Sequence, residues 1–252
     1  NISIDGNVDK VSITDQKKKF ESFGWQVLEV DGHNEIEIKN AIDLSKEETN
    51  KPSLIIAKST IGKFAPNKQN TSSIHGAPLG NEEMKLFLNE IGWEGDPFDH
   101  SDDVYDYFAE KRLEDNKSFE KWKSNLDNKL NNDDSFKKLW EQFEKNELSF
   151  PESFEIQEAA TRVTGGNYLK LIGLENKFVL GGSADLAAST KQIISEESYT
   201  SENRHGQNIE FGIREHSMAA VVNGISLHSN LFSFGSTFLV FSDYMRPSIR
   251  LA

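Results

Sequence analysis

The triplet Arg214-Glu215-His216 follows Ile209-Glu210-Phe211-Gly212-Ile213, so it sits where an apolar strand passes into a helix. A carboxylate placed there can exchange a proton with a ligand, or it can be a helix-start residue favoured by the helix dipole. Arg214 can equally be its salt-bridge partner. Glu215 and His216 are adjacent on a helix and face apart, so the pair does not suggest a metal site. Asp185 closes Gly181-Gly182-Ser183-Ala184-Asp185. The glycines there allow a tight turn, after which Asp185 either caps a helix or faces a crevice. Phe238, Phe241 and Tyr244 recur at intervals of three, an aromatic stripe that suits core packing more simply than a ligand box. Pro247 implies a kink or a helix start nearby. His75 lies in His75-Gly76-Ala77-Pro78-Leu79-Gly80, a loop constrained by glycine and proline. A histidine there can donate to a phosphate or a substrate oxygen, or simply be solvated.

These side chains need elements to carry them. Trp25-Gln26-Val27-Leu28-Glu29-Val30 reads as a strand, and Ile36, Ile38, Ala41, Ile42 and Leu44 follow at helical intervals. Ser53-Leu54-Ile55-Ile56-Ala57-Lys58 reads as the next strand, introduced by Pro52 and closed by Thr60-Ile61-Gly62. From about 64 to 80 the composition changes to a long loop. From 99 to about 150 it is rich in Asp, Asn and Lys, with anchors such as Phe119, Trp122, Phe136, Trp140 and Phe143 that suit surface helices. The alternation then resumes, with a helix over about 161–172, a strand at Lys177-Phe178-Val179-Leu180 and another at Ile209–Ile213. A helix then runs through Met218, Ala219, Val222 and Ile225. Short apolar runs separated by amphipathic helices predict an α/β fold with mostly parallel sheets. The expected division is residues 1–98, a helical linker over 99–151, and residues 152–252. Ligands in such folds bind beyond the carboxyl ends of the strands, where the candidate residues lie.

The formal net charge of −13 argues against a nucleic-acid partner, because phosphate binding needs clustered Lys and Arg. The absence of cysteine excludes disulfides, thiolate metal sites and cysteine nucleophiles. No apolar run approaches the roughly 20 residues that span a bilayer, so no membrane is expected. The first residues, Asn1-Ile2-Ser3-Ile4-Asp5-Gly6, show neither an initiator Met nor a signal pattern, and Ile249-Arg250-Leu251-Ala252 stops inside an apolar-periodic segment. The expectation is a fragment of a longer cytoplasmic chain.

Taken together, the segments from Ile2-Ser3-Ile4-Asp5-Gly6 through Lys58–Gly62, His75–Gly80, Gly181–Leu186, Phe211–His216 and Asn223–His228 to Thr237–Tyr244 resemble transketolase in order and separation. The resemblance implies two domains of the thiamine diphosphate-binding type, both incomplete here and joined by the helical linker. The first is the end of a pyrophosphate-binding domain and the second the start of a pyrimidine-binding domain. It implies reversible transfer of a two-carbon ketol unit from a ketose phosphate to an aldose phosphate, through a thiamine diphosphate ylid, in the pentose phosphate pathway. Glu215 matches the glutamate that hydrogen-bonds the aminopyrimidine ring and promotes its imino tautomer. Phe238, Phe241 and Tyr244 match its aromatic pocket, with Phe241 stacking on the ring, and Asp185 matches the aspartate beside the thiazolium. His75 resembles the histidine that contacts both cofactor and substrate. Arg162 and Ser189 resemble the pair that binds the sugar phosphate. Ile2 matches the residue whose backbone carbonyl ligates Mg²⁺ or Ca²⁺. The family's Gly-Asp-Gly metal motif does not occur in the chain. The resemblance also implies a homodimer with the active site at the subunit interface. Dihydroxyacetone synthase, deoxyxylulose phosphate synthase and a non-catalytic transketolase-like chain are the alternative readings.

Overall fold

The structure, a computed structural model, describes residues 1–96, 98–155 and 158–252. Two compact units divide the chain, Asn1–Phe108 and Ala109–Ala252.

The first unit opens with a small antiparallel hairpin, β1 (Ile2–Ser3) and β2 (Gly6–Asn7). Next come α1 (Gln16–Ser22), β3 (Gln26–Asp31), α2 (Glu35–Glu47), β4 (Ser53–Lys58) and α3 (Asn81–Glu90). Strands β3 and β4 pair in parallel from Gln26↔Ser53 to Asp31↔Lys58, and buried Val30 of β3 and Ala41 of α2 mark the packed face. Parallel neighbours need a crossover helix, and α2 supplies it. Its start is fixed by Asn34, whose Oδ1 accepts from the backbone N–H groups of Ile36 and Glu37. Glu37 returns the favour by accepting from the Asp31 backbone N–H at 2.8 Å, which ties the helix start to the end of β3.

The long helix α4 (Asp102–Asn132) begins in the first unit and runs into the second, and it buries no side chain completely. Asp133 then caps α5 (Asp134–Lys145) by accepting from the Phe136 N–H at 3.0 Å. The aromatic anchors seen in the sequence form a ladder here. Phe136, Trp140 and Phe143 lie ring against ring, and Phe143 reaches Phe178 at 5.2 Å between centroids.

The second unit continues with α6 (Thr161–Glu175), β5 (Val179–Ser183), α7 (Ala187–Thr190), β6 (Asn208–Glu210), α8 (Glu215–His228), β7 (Phe232–Ser236) and α9 (Ser242–Leu251). Its sheet has the order β6-β5-β7 with both pairings parallel. Ala184, Phe211 and Met218 form the core at the carboxyl end of that sheet, joined by Ile209, Val222 and Met245.

The structure changes the reading of Gly181-Gly182. These residues are buried inside β5 and are not a turn. A Cβ on Gly181 would strike the Phe234 carbonyl oxygen of β7, and one on Gly182 would strike the Ile209 carbonyl oxygen of β6. The glycines therefore serve close approach of the flanking strands. A similar cause explains Gly166 of α6, where a Cβ would strike the Lys191 carbonyl oxygen just beyond α7. The strand expected over 209–213 ends early, because Gly212 turns the chain with φ 65°. Strand β7 went unread, since Phe232-Ser233-Phe234-Gly235-Ser236 mixes apolar residues with serine and glycine.

Candidate functional site

In the second unit, the carboxyl ends of β5 and β6 bring several candidate residues to one cleft. At the end of β5, the Ser183 hydroxyl donates to the Ser236 carbonyl at 3.1 Å and accepts from the Leu186 N–H at 3.1 Å. This clamps β5 to β7 and sets the turn that follows. Asp185 occupies the turn with φ 58°, a left-handed conformation that is uncommon for a residue with a Cβ. It does not cap α7: Leu186 holds the cap position, and no side chain bonds there. Asp185 is exposed.

At the end of β6, Phe211 enters the core and Gly212 redirects the chain. A Cβ on Gly212 would meet the Arg214 guanidinium, whose Nη1 donates to the Phe211 carbonyl at 3.1 Å. Arg214 thus braces the turn and is not the ion partner of Glu215. Glu215 is the first residue of α8 and only 9 % exposed, and among the described residues its carboxylate forms no ion pair. Fully buried Met218, one turn along α8, fixes the helix beneath it.

Aromatic rings form the other wall. Phe241 and Tyr244 lie 6.1 Å apart at 32°, and Phe238 stacks behind Phe241 at 6.0 Å and 19°. The cleft between these walls measures about 460 Å³ and is lined by Ala184, Asp185, Leu186, Ile213, Glu215, Phe241 and Tyr244. Phe238 lines a neighbouring hollow with Leu239, Ser242 and Met245. The aromatic stripe is therefore divided: Phe241 and Tyr244 face the Glu215 cleft, and Phe238 supports from behind. An apolar slot with a flat ring on one side and one nearly buried carboxyl group suits a planar heteroaromatic ligand whose edge can hydrogen-bond that carboxyl.

Arg162 and Ser189 do not line this cleft. Arg162 is the second residue of α6 and Ser189 lies in α7, both exposed. Gln192 links the two helices by donating to the carbonyls of Arg162 at 3.2 Å and Thr190 at 3.1 Å.

In the first unit, His75 follows a short 3₁₀ turn, Ser72–Ile74, and its side chain is exposed. The loop that carries it is extensively fastened. The Asn70 N–H donates to the Ile61 carbonyl at 2.9 Å, which closes the loop on itself. Gly62, at φ 60°, leaves room for the Ile74 side chain, which a Cβ would strike. Lys68 Nζ donates to the Leu79 carbonyl at 2.7 Å. Glu83 of α3, 6 % exposed, accepts from the Asn67 backbone N–H at 2.8 Å and from Asn67 Nδ2 at 3.0 Å. Burial opposes the charge on Glu83, but the Asn67 hydrogen bonds outweigh it and hold the carboxyl below the usual carboxylate range. Sequence reasoning missed this anchor. Asn81-Glu82-Glu83 signals a helix start, and nothing in the spacing tells which glutamate turns inward.

Ile2 lies in β1. Asn1 beside it is engaged within the unit, its Oδ1 accepting from the Ile61 N–H at 3.3 Å and its Nδ2 donating to Asn70 Oδ1 at 2.6 Å. Among the described residues no group of three or more His, Cys, Asp or Glu side chains could hold a metal ion, and no helix is long and apolar enough to cross a membrane.

Comparison with known proteins covers both units. Residues 1–148 match the family model of the transketolase thiamine diphosphate binding domain, and residues 157–252 match that of the transketolase pyrimidine binding domain. The transketolase of Bacillus subtilis strain 168 is 38 % identical over 271 residues, and that of Staphylococcus aureus strain MRSA252 is 36 % identical over 264. All of this chain aligns in both cases, and it spans 39 % of each relative's length. Among solved structures, transketolase from Leishmania mexicana superposes with a TM-score of 0.90 at 28 % identity. A Pichia stipitis transketolase in complex with sedoheptulose 7-phosphate gives 0.89 at 28 % identity. Each match covers 99 % of this chain and 39 % of the other.

Proposed function

The chain belongs to the transketolase family, and we propose that it is the central part of a thiamine diphosphate-dependent enzyme that moves a two-carbon ketol unit from a ketose phosphate to an aldose phosphate. The observation that carries this reading is the convergence of Asp185, Glu215, Phe241 and Tyr244 on one cleft of the size and character a pyrimidine ring needs. The lining fits that half of the cofactor on its own chemistry: an aromatic face, apolar walls and one nearly buried carboxyl at the edge. When bound, thiamine diphosphate supplies the electron sink for the two-carbon fragment.

The chain's own residues do the rest. Glu215 holds and exchanges a proton at the ring edge, and its helix start keeps the carboxyl oriented into the cleft. Phe241 presents the stacking face, Tyr244 extends it, and Phe238 backs Phe241 from behind. Asp185, set by its left-handed backbone, contributes a carboxylate where the cleft opens. Arg162 and Ser189 hold the sugar phosphate, with the guanidinium offering two parallel donors to its oxygens. His75 reaches the cofactor and the substrate from its fastened loop. The Ile2 carbonyl would supply one hard oxygen ligand to Mg²⁺ or Ca²⁺. The reading further includes a homodimer with active sites at the subunit interface, a cytoplasmic location and a place in pentose phosphate metabolism. The sugar phosphates bound by the Pichia stipitis relatives, which include xylulose 5-phosphate and fructose 6-phosphate, are the substrate class assigned to this protein.

The test is Glu215→Ala in the intact protein, assayed on xylulose 5-phosphate with ribose 5-phosphate. Losing a positioned proton-transfer group should lower kcat by about 10²- to 10⁴-fold, with circular dichroism unchanged. Wild-type turnover in that variant defeats the assignment. Preferential turnover of pyruvate or formaldehyde would transfer it to another thiamine-dependent ketol enzyme.

A further inference from the structure

We propose that His33 is a positioning residue for the loop that carries His75, acting through Nε2 as the hydrogen-bond acceptor for the Thr60 backbone N–H. This rests on the reading above only in giving His75 a role at the cofactor and substrate.

The turn after β3 presents His33 in one orientation. The Asp31 Oδ1 accepts from the His33 N–H at 2.9 Å, and the Gly32 N–H donates to the Lys58 carbonyl at 2.7 Å. A Cβ on Gly32 would sit 3.0 Å from that carbonyl oxygen and 3.3 Å from Ser59 Cβ, so glycine lets the turn press against the end of β4. Across this contact the His33 Nε2 accepts from the Thr60 N–H at 2.8 Å. In this hydrogen bond Nε2 is the acceptor, which leaves Nδ1 as the nitrogen that carries the hydrogen.

Thr60 lies two residues beyond the end of β4. Its neighbour Ile61 donates to Asn1 and accepts from Asn70, and Gly62 packs beneath Ile74, the residue before His75. A continuous path of contacts thus runs from His33 through Thr60 and Gly62 to Ile74 and His75. The loop of residues 59–80 contains no strand. The His33–Thr60 bond fastens a backbone donor two residues past the end of β4, near the start of that loop. Neighbouring anchors hold the loop's start and its middle: Asn1 at Ile61 and Asn70, and Glu83 at Asn67.

The experiment compares His33→Ala and His33→Gln with wild type in the intact protein. Glutamine places a carbonyl oxygen near the position of Nε2 and keeps the acceptor. Amide hydrogen exchange should speed up at Thr60 and through residues 60–75 in the alanine variant and return towards wild type with glutamine. Ketose-phosphate KM should rise about fivefold in the alanine variant with kcat changed less than about twofold, the scale of one lost hydrogen bond. Glutamine should restore the KM. Unchanged exchange at Thr60 in His33→Ala, or a glutamine variant that behaves like alanine, overturns the proposal. If wild type itself fails to transfer ketol units, the proposed activity falls, while exchange at Thr60 still decides whether His33 anchors the loop.

Discussion

At the scale of single residues, the cleft assigns different work to side chains that look alike in sequence. Phe238, Phe241 and Tyr244 share one spacing, yet only Phe241 and Tyr244 line the cleft. In the proposed site Phe241 would offer its face to the cofactor, so removing it would delete a stacking partner while leaving Glu215 in place. Phe241→Ala should weaken apparent thiamine diphosphate affinity by roughly tenfold, the effect of one aromatic stack with its buried area. At saturating cofactor, kcat should recover most of its value. Phe238→Ala should weaken affinity less, because it acts through its neighbour. Cofactor titration of the two apo variants, followed by activity, checks the order; a larger loss at Phe238 contradicts the division. Glu215 shows the limit of reading residues alone. Its neighbour Arg214 offered an obvious ion pair, but the guanidinium turns back to the Phe211 carbonyl because Gly212 has no side chain to prevent it.

At the scale of elements, strands β3 and β4 and helices α2, α6 and α8 were legible because their apolar residues repeat with a clear period. Strand β7 was not, since serine and glycine interrupt its pattern, and β5 was cut short because a glycine pair also spells a turn. In β5, glycine chosen for close strand approach is indistinguishable in sequence from glycine chosen for backbone freedom, whereas Gly235 of β7 makes room for the Met218 side chain of α8. The His75 loop was recognised as a loop, but its fastenings connect residues far apart in sequence and leave no local signal. Glu83 is the acidic member of these fastenings, beside Lys68. Its folded-state pKa lies below the ordinary 4.5, so the charged carboxylate contributes stability that is fully present above that value. The contribution is lost as pH falls through the lower folded value. Glutamine cannot titrate and presents the Asn67 donors with a weaker acceptor. The stability gap between wild type and Glu83→Gln, from urea unfolding, should therefore stay constant from pH 7 to about 5 and narrow below 4.5. A gap independent of pH would mean that the Glu83 charge plays no part in holding the loop.

At the scale of the whole molecule, the proposed homodimer would take the pyrophosphate-binding part of each site from one subunit and the pyrimidine-binding part from the other, so that His75 and Glu215 of one chain would serve different active sites. A symmetric dimer makes that arrangement testable without a ligand-bound structure. His75→Ala and Glu215→Ala homodimers should each be severely impaired. Co-expression of the two variants yields mixed dimers, in which one site receives both substitutions and the other receives none. With random pairing, half of the dimers are mixed and each has one intact site of two, so activity should return to about a quarter of wild type. If each site is built within a single chain, every site in the mixed dimer carries one substitution and no activity returns. Purifying the mixed dimer with two different affinity tags raises the expected value to about half, which separates true complementation from residual activity of either parent.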